Sequence, residues 1–192
     1  AANSIRNIRR RETLRIAMGA VLGDLTIAQV SQGLSDLTAC YLQAMLEVAT
    51  DLHGSDLASK NVSEILDFGI IAMGRFGGEE LGFGSDADIM CVYKTKPGID
   101  GSVSQKVAER IVSELRRITS DQVLEFELDL DLRPEGKNGP VARSMESYAA
   151  YYERWANTWE AQALLRARPI AGSSELREEF LKLINKYRYP TQ

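Results

Sequence analysis

Two aspartates, two positions apart, are the residues of this sequence best placed to do chemistry. Asp86 and Asp88 follow a glycine-rich stretch at 74–84 and open an apolar run. Side chains two apart on a strand point to the same face, so the carboxylates should lie side by side, with Ala87 and Ile89 buried behind them. Their repulsion favours a bound cation, and Mg²⁺ is the usual partner of carboxylate oxygens beside a phosphate-binding loop. The pair therefore predicts a metal-dependent site for phosphate chemistry.

A second acidic segment, residues 122–134, alternates hydrophobic and acidic side chains as a half-buried strand does. The acids on its polar face are Glu125, Glu127, Asp129 and Asp131. If this strand lies beside the strand of Asp86 and Asp88, one of the four completes a three-carboxylate metal site. A two-metal centre of that kind can activate an attacking oxygen and stabilise a leaving phosphate. The alternative is an acidic outer face on an edge strand.

The composition is that of an ordinary globular chain: 192 residues, 44% hydrophobic and 26% charged, with a net charge of −4. Because basic residues cluster only at 9–11 and 116–117, no nucleic-acid partner is expected. The sequence shows no signal peptide and no apolar run near the length of a membrane span, so we expect a cytoplasmic protein without a membrane partner. It starts without Met, and we expect a piece of a longer protein. Cys40 and Cys91 lack metal-binding spacing and are expected to be buried thiols.

Changes in hydrophobic periodicity indicate the elements that would position the acids. Residues 1–60 are expected to form a helical lead-in, with Ser35 as the N-cap of one helix and a polar linker beginning at His53. Residues 61–140 are expected to form the core, and residues 141–192 helices packed on it.

Within the core, the pattern predicts strands at 68–73 and 86–93, then a helix at 104–119, then the acidic strand. This order is compatible with a mixed sheet and a right-handed crossover. The expected fold class is therefore α/β (α+β), with helices before and after the sheet.

Two features of the C-terminal zone also carry expectations. Tyr148, Tyr152, Trp155 and Trp159 recur at helical spacing and are expected to pack against the sheet. Arg166 and Arg168 are expected near the end of a helix, where cations favour the helix dipole.

Three blocks of this sequence carry a family resemblance: GRFGGEELGFGSDADIM at 74–90, LDLRPEGKNGP at 130–140 and WANTWEAQALLRARPIAG at 155–172. A glycine pair followed by Ser-Asp-x-Asp at a strand resembles the nucleotidyltransferase superfamily that includes DNA polymerase β. In their order and spacing, the blocks resemble the glutamine synthetase adenylyltransferase family. The helix RNIRRRETLRIAMGAVLGDLT at 6–26 is similar to the helical lead-in of that family, so the resemblance covers nearly the whole chain.

The resemblance implies a DNA polymerase β-like fold in which residues 61–140 are the nucleotidyltransferase catalytic core. It implies an enzyme that transfers AMP from ATP to a tyrosine of glutamine synthetase by two-metal in-line transfer, with Mg²⁺ as cofactor, and thereby regulates nitrogen assimilation. For the full-length, multifunctional enzyme it also implies a PII-type regulatory protein as a partner.

The family carries two similar catalytic halves that work in opposite directions. One half removes AMP from glutamine synthetase with phosphate and releases ADP, and the other adds AMP from ATP. The adding half tends to read Glu-Leu-Gly before its Ser-Asp, and the removing half Glu-Leu-Asn. Glu80-Leu81-Gly82 therefore resembles the adenylylating half. Two alternatives stay open: the deadenylylating half, and a catalytically silent nucleotidyltransferase-like module that binds a regulatory protein.

The resemblance also selects among the four acids of the second segment. The family's acid lies five residues before the proline of a Leu-Arg-Pro motif, which here ends at Pro134 and points to Asp129. The expected catalytic and metal-binding residues are therefore Asp86, Asp88 and Asp129. The role of Asp131 stays open.

Three residues in or just after the glycine-rich stretch are expected at the nucleotide. Gly77 and Gly78 would let the backbone approach the phosphates closely, with a plain turn as the alternative. Ser85 would either bond a phosphate or cap the turn before Asp86.

Basic residues beside the motifs could also contact phosphate. Arg75, Arg133 and Lys137 each lie next to a motif, with ordinary ion pairing as the alternative for each. Of these, we assign Arg75 to the expected nucleotide-binding set.

Overall fold

A helical hairpin begins the chain. α1 spans Ala2–Leu22 and stops at Gly23, whose φ of 80° lies in the left-handed region. α2 spans Ile27–His53. The computed structural model describes residues 1–53, 61–154 and 158–188. The helical lead-in is therefore present as predicted, although residues 54–60 of the expected linker lie outside the described residues.

The start of α2 differs from the prediction. Thr26 and Gln29 cap the helix reciprocally: the Gln29 N–H donates to Thr26 Oγ1 at 3.3 Å, and Gln29 Oε1 accepts the Thr26 N–H at 2.9 Å. Ser35 lies inside α2, where its hydroxyl donates to the Ser31 carbonyl at 2.8 Å. The expectation that Ser35 is an N-cap is wrong, because a serine hydroxyl can also bond the carbonyl one turn back within a helix.

The described part of the chain contains a mixed sheet of five strands. In chain order these are β1 (Leu66–Ala72), β2 (Ala87–Thr95), β3 (Leu128–Asp129), β4 (Arg143–Ser144) and β5 (Arg168–Ala171). Across the sheet the order is β3-β2-β1-β5, with β4 also paired to β2. β1 and β2 pair antiparallel, and α5 (Gly101–Thr119) leads to β3, which is parallel to β2. Two short helices flank β1, namely α3 (Val62–Ile65) and α4 (Gly74–Gly77). The predicted mixed α/β fold is confirmed.

The acidic segment forms a much shorter strand than its pattern predicts. Its burial alternates as expected, with Leu128 and Leu130 buried and Glu125 and Glu127 exposed. Only Leu128 and Asp129 pair, opposite Ala87 and Asp88 of β2. The chain then turns, and farther along the same edge β2 pairs with β4 (Arg143–Ser144) instead.

The C-terminal zone is not wholly helical. After a short 3-10 helix at Gly136–Asn138 and β4 come α6 (Met145–Arg154), α7 (Thr158–Leu164), β5 (Arg168–Ala171) and α8 (Ser174–Arg188). β5 pairs antiparallel with the edge of β1 that β2 leaves free. The expectation that Arg166 and Arg168 lie on a helix is wrong, because α7 ends at Leu164 and Arg168 begins β5.

The two faces of the sheet bury two hydrophobic clusters. The first cluster packs the sheet against α1, α2 and α5, and includes Leu42, Met45, Ile70, Ile89 and Ile111. The second cluster packs it against α6, α7 and α8, and includes Ile71, Met90, Tyr148, Leu164 and Phe180. Because β2 places Ile89 in the first cluster and Met90 in the second, Asp88 lies on the face of the second cluster.

Several smaller expectations can be compared with this core. Tyr148 and Tyr152 are buried as predicted, but Trp159 is 48% exposed and does not continue the buried stripe. Trp155 lies outside the described residues.

Cys91 is buried, which raises the pKa of its thiol to about 12, whereas Cys40 is exposed and its predicted burial is wrong. Across the described ranges, the helices are too short or too polar to cross a membrane.

Candidate active site

The structure brings the three predicted aspartates together. One carboxylate oxygen from each of Asp86, Asp88 and Asp129 lies within 4.8 Å of the other two. Asp88 and Asp129 are direct neighbours across the parallel β2–β3 pair, and Asp86 immediately precedes β2. We call these three residues the acid cluster. Their roles as catalytic residues and metal ligands stay predictions.

Backbone hydrogen bonds on both sides fix the start of β2, which carries the cluster. The Ala87 N–H donates to the Glu127 carbonyl at 3.0 Å, and the Asp88 carbonyl accepts the Met73 N–H at 2.8 Å. Ala87 and Ile89 are each 1% exposed, as predicted for residues behind the carboxylates. Because the apolar residues lock the strand into the core, the alternate positions must present their carboxylates together.

Asp131 does not join the cluster. Its N–H donates to Asp129 Oδ1 at 2.7 Å, and its carboxylate faces Lys137 Nζ at 3.2 Å and Arg133 Nη1 at 3.8 Å. The turn after β3 therefore ends the alternation that would have placed Asp131 on the same face. Of the four acids in the segment, Asp129 alone reaches the other two aspartates.

The cluster is electrostatically unfavourable without a cation. Burial raises the pKa of Asp88, and the charges of Asp86 and Asp129 raise it further, while Arg75 opposes them. Two oxygens on one Mg²⁺, each about 2.1 Å from the ion, can lie at most about 4.2 Å apart. The observed limit of 4.8 Å is slightly wider, so a small rotation of the side chains would close the group around an ion. The residues therefore fit a hard divalent cation.

Gly74 is a site residue that the sequence reasoning missed. Its φ is 50°, and a Cβ at this position would lie 2.4 Å from Asp88 Oδ2. Any side chain would collide with the carboxylate and strain the backbone as well. Its place as the first glycine after a buried strand was the signal that could have identified it.

The two glycines predicted to face phosphate differ from each other. A Cβ at Gly77 would lie 1.9 Å from the Arg166 carbonyl oxygen, so packing against the 164–168 segment requires glycine there. A Cβ at Gly78 would meet its nearest atoms at 3.5 Å, an ordinary contact. Neither distance tests the predicted role of these residues at the nucleotide.

Ser85 closes the turn that leads into the cluster. Its hydroxyl accepts the Gly82 N–H at 3.2 Å, and its own N–H donates to the Gly82 carbonyl at 3.2 Å. Gly84, with a φ of 71°, occupies the left-handed position of this turn. The contacts match the turn-capping alternative for Ser85.

The three basic residues beside the motifs have different surroundings. Arg133 is buried, and its guanidinium donates to the carbonyls of Leu130, Lys137 and Gly139. Lys137 pairs with Asp131. Arg75 is exposed, and its guanidinium makes no hydrogen bond or ion pair within the described residues, so it is available for a ligand.

Sequence comparison places the chain in a family. The family model for glutamate-ammonia ligase adenylyltransferase matches residues 1–183. The chain belongs to that family. The resemblance stated from the sequence blocks is thereby confirmed, and the mixed sheet with flanking helices is consistent with a nucleotidyltransferase-like fold.

Several relatives carry the same name, bifunctional glutamine synthetase adenylyltransferase/adenylyl-removing enzyme. The relative from Leifsonia xyli subsp. xyli is 49% identical over 191 residues, that from Mycobacterium avium 42% over 187, and that from Streptomyces avermitilis 40% over 208. These alignments cover 99%, 96% and 100% of this chain but only 18%, 19% and 20% of the relatives. The chain thus spans about a fifth of their length.

Proposed function

We propose that this chain is the catalytic unit that adds AMP from ATP to a tyrosine of glutamine synthetase. The observation that supports this most directly is the convergence of Asp86, Asp88 and Asp129, within 4.8 Å, in a member of the adenylyltransferase family. Three facing carboxylates are costly to hold together, so they also count against a catalytically silent module.

In this proposal the acid cluster holds Mg²⁺. Bound there, Mg²⁺ would neutralise phosphate charge and favour the deprotonated form of an attacking hydroxyl. The tyrosine oxygen bonds to the α-phosphorus of ATP while the bond to the bridging oxygen breaks, pyrophosphate leaves, and the hydroxyl proton passes to water. No side chain of this protein becomes covalently attached, because its residues act by position and charge.

The neighbouring residues support this reaction by making space and supplying charge. Gly74 leaves the carboxylate of Asp88 uncovered, since any side chain there would collide with it. We propose that Gly77 and Gly78 let the backbone approach the phosphates closely and that Arg75 adds a positive charge. Ser85 holds the turn that precedes Asp86.

The proposed substrates, partner and location follow from membership of the family. ATP and glutamine synthetase are the substrates, a PII-type protein acts through the longer enzyme, and the protein works in the cytoplasm without a nucleic-acid partner. Because β4 and β5 belong to the sheet, we extend the proposed catalytic core from 61–140 to include the strands at 143–144 and 168–171.

The direction of the reaction is the finer part of the proposal. It rests on Gly82, in Glu-Leu-Gly, a position where the removing half tends to carry Asn. A Cβ at Gly82 would meet only Ser85 Oγ, at 3.6 Å, so packing does not demand glycine there. The glycine is therefore free to serve the approach of a substrate.

The test uses the complete natural enzyme with and without Asp88→Asn. AMP addition from ATP and AMP removal by phosphate are each followed by the intact mass of glutamine synthetase. We expect addition to be lost and removal to persist. Glu127→Gln, at an exposed acid of the neighbouring 122–134 segment, is the control and should leave both unchanged. Loss of removal with addition intact would assign this chain to the deadenylylating half, and loss of neither would refute the proposed site.

A further inference from the structure

The segment that joins α7 to β5, residues 165–167, approaches the candidate site although its sequence position is remote from it. Leu164 and Ala167 belong to the second hydrophobic cluster, on the sheet face that also presents Asp88. Arg166 lies between them, beside the loop at 78–80. The guanidinium of this arginine therefore lies on the same side of the sheet as the acid cluster.

α4 connects the acid cluster to Arg166. At its start, the position of a Gly74 Cβ would be 2.4 Å from Asp88 Oδ2, and just beyond its end, that of a Gly78 Cβ would be 3.5 Å from Arg166 Nη1. The two glycines are one turn apart, since the Gly78 N–H donates to the Gly74 carbonyl at 3.1 Å. A turn of four residues rises about 6 Å, so the Arg166 guanidinium lies within about 12 Å of the Asp88 carboxylate.

The present partner of Arg166 is easily replaced. Arg166 Nη1 lies 2.7 Å from Glu80 Oε2, and the two side chains are 48% and 55% exposed. An ion pair this exposed contributes little to stability, because solvent screens it. A polyphosphate offers more negative charge and the same fork of oxygens, for which a guanidinium is well shaped.

Arg168 provides a contrast two positions along. It pairs with Glu79, at 3.3 Å, and its Nη2 reaches the Phe76 carbonyl at 3.5 Å. Glu79 has a φ of 61°, which is rarely adopted by a residue other than glycine, so the loop is held in a defined shape. Arg168 thus ties the end of α4 to the sheet, whereas the Arg166 side chain touches the loop chiefly through one exchangeable carboxylate.

We propose that Arg166 binds the β- and γ-phosphates of the nucleotide, and that Glu80 is a competing carboxylate that holds the guanidinium until the nucleotide arrives. This rests on the proposed function, because it takes ATP as the ligand of the acid cluster. Arg166 is a positioning residue for the leaving pyrophosphate. The exchange of one oxyanion partner for another involves no covalent step.

Equilibrium titration of the protein with ATP and with AMP, in Mg²⁺ and without glutamine synthetase, tests the exchange. Arg166→Gln should weaken ATP binding about 10-fold, which corresponds to about 1.4 kcal/mol, and leave AMP binding unchanged. Arg166→Lys should lie between, because it keeps the charge and loses the fork. Glu80→Gln should tighten ATP binding about 2- to 5-fold, since it removes the competitor.

The opposite signs at Glu80 and Arg166 separate this role from a structural one. If the ion pair only braced the loop, both substitutions would weaken ATP binding together, and that result would overturn the proposal. Equal losses for ATP and AMP, or no loss in Arg166→Gln, would overturn it too. Arg117→Gln, which breaks an exposed pair with Glu114 on α5, is the matched control and should change nothing.

The outcome also separates this inference from the proposed function. One result would refute only the role of Arg166: the wild-type protein binds ATP, Asp88→Asn abolishes AMP addition, and Arg166→Gln still binds ATP with normal affinity. If the unaltered protein binds no ATP in Mg²⁺, the proposed function and this inference both fail.

Discussion

Two aspartates of this chain, Asp88 and Asp121, meet opposite electrostatic surroundings. Asp88 is half-buried beside two other carboxylates, and its pKa is raised above 3.8, first by burial and then by those charges. Asp121 is only 7% exposed, yet its pKa is lowered to about 2, chiefly by its hydrogen bond to Arg10. The same residue type is thus disfavoured as an anion in one place and favoured in the other.

The surroundings of Asp121 are supplied entirely by the protein. Its carboxylate accepts a hydrogen bond from the guanidinium of Arg10 on α1. It also accepts the backbone N–H groups of Val123 at 2.9 Å and Leu124 at 3.3 Å. Arg9 extends this junction by donating to the Leu124 carbonyl at 3.0 Å. Arg9 and Arg10 therefore fasten α1 to the loop before β3.

The comparison teaches how to recognise a site for a ligand. At Asp121 every favourable partner is already in place, so the carboxylate stabilises the fold. At Asp88 the protein provides burial and two like charges, which Arg75 offsets only in part and which the proposed metal ion would offset further. An unfavourable carboxylate in a rigid strand is therefore better evidence of function than a satisfied one.

The largest expected effect removes a charge at the acid cluster. Asp88→Asn should reduce nucleotidyl transfer at least about 100-fold, because a metal ligand is lost while the fold persists. Steady-state kinetics of the complete enzyme, with circular dichroism of the variant, measures this. Near-normal turnover in Asp88→Asn would show that Asp88 is not needed for nucleotidyl transfer.

A second test concerns which acid completes the cluster. Asp129→Asn should lower transfer by about 10- to 100-fold, whereas Asp131→Asn should have a much smaller effect, because Asp131 faces Lys137 and Arg133. A kinetic comparison of the two variants decides it. A larger loss at Asp131 than at Asp129 would contradict the register of β3 on β2.

The acids could be predicted from the sequence because their signals are local. Strand alternation placed Asp86 and Asp88 together, and the family resemblance, through the family's spacing to the proline at Pro134, selected Asp129. Ser35 was assigned wrongly because a serine hydroxyl can cap a helix or bond the carbonyl one turn back, and the local sequence does not choose between them.

The missed features depend on residues that are distant in the sequence. β5 is four residues long, contains Pro169, and forms only because β1 leaves an edge open. The position of Arg166 follows from β5, and the need for glycine at 74 follows from Asp88 lying against it. Such contacts become visible only when the chain is folded.

Removing the charge of Asp121 should destabilise the fold. Asp121→Asn should lower the free energy of unfolding by about 2 kcal/mol at pH 7, because the Arg10 guanidinium loses the negative charge with which it pairs. Chemical denaturation measures the loss. Glu12→Gln is the control on α1, the helix that carries Arg10, because Glu12 pairs with Arg15 at the surface and its replacement should change stability far less.

The effect at Asp121 should also depend on pH in a definite direction. Since folding lowers the pKa of Asp121 from 3.8 to about 2, its contribution is complete above 3.8 and is lost as the pH falls towards 2. The difference between the wild-type protein and Asp121→Asn should therefore shrink across that interval. A difference that stayed constant to pH 2 would mean that the charge of Asp121 does not stabilise the fold.

The smallest expected effect is a gain in stability at the acid cluster, with the opposite pH dependence. Because folding raises the pKa of Asp88 above 3.8, the ionised carboxylate opposes folding at neutral pH, and this penalty disappears below 3.8. In a chelator at pH 7, the free energy of unfolding of Asp88→Asn should exceed that of the wild-type protein by a few tenths of a kcal/mol after solvent screening. The variant should therefore melt at a slightly higher temperature. Mg²⁺ should reverse the order, because it stabilises only the protein that binds it. Thermal melts in chelator and in Mg²⁺ make the comparison, and a variant that melts lower than wild type in chelator would show that the cluster is not under repulsion.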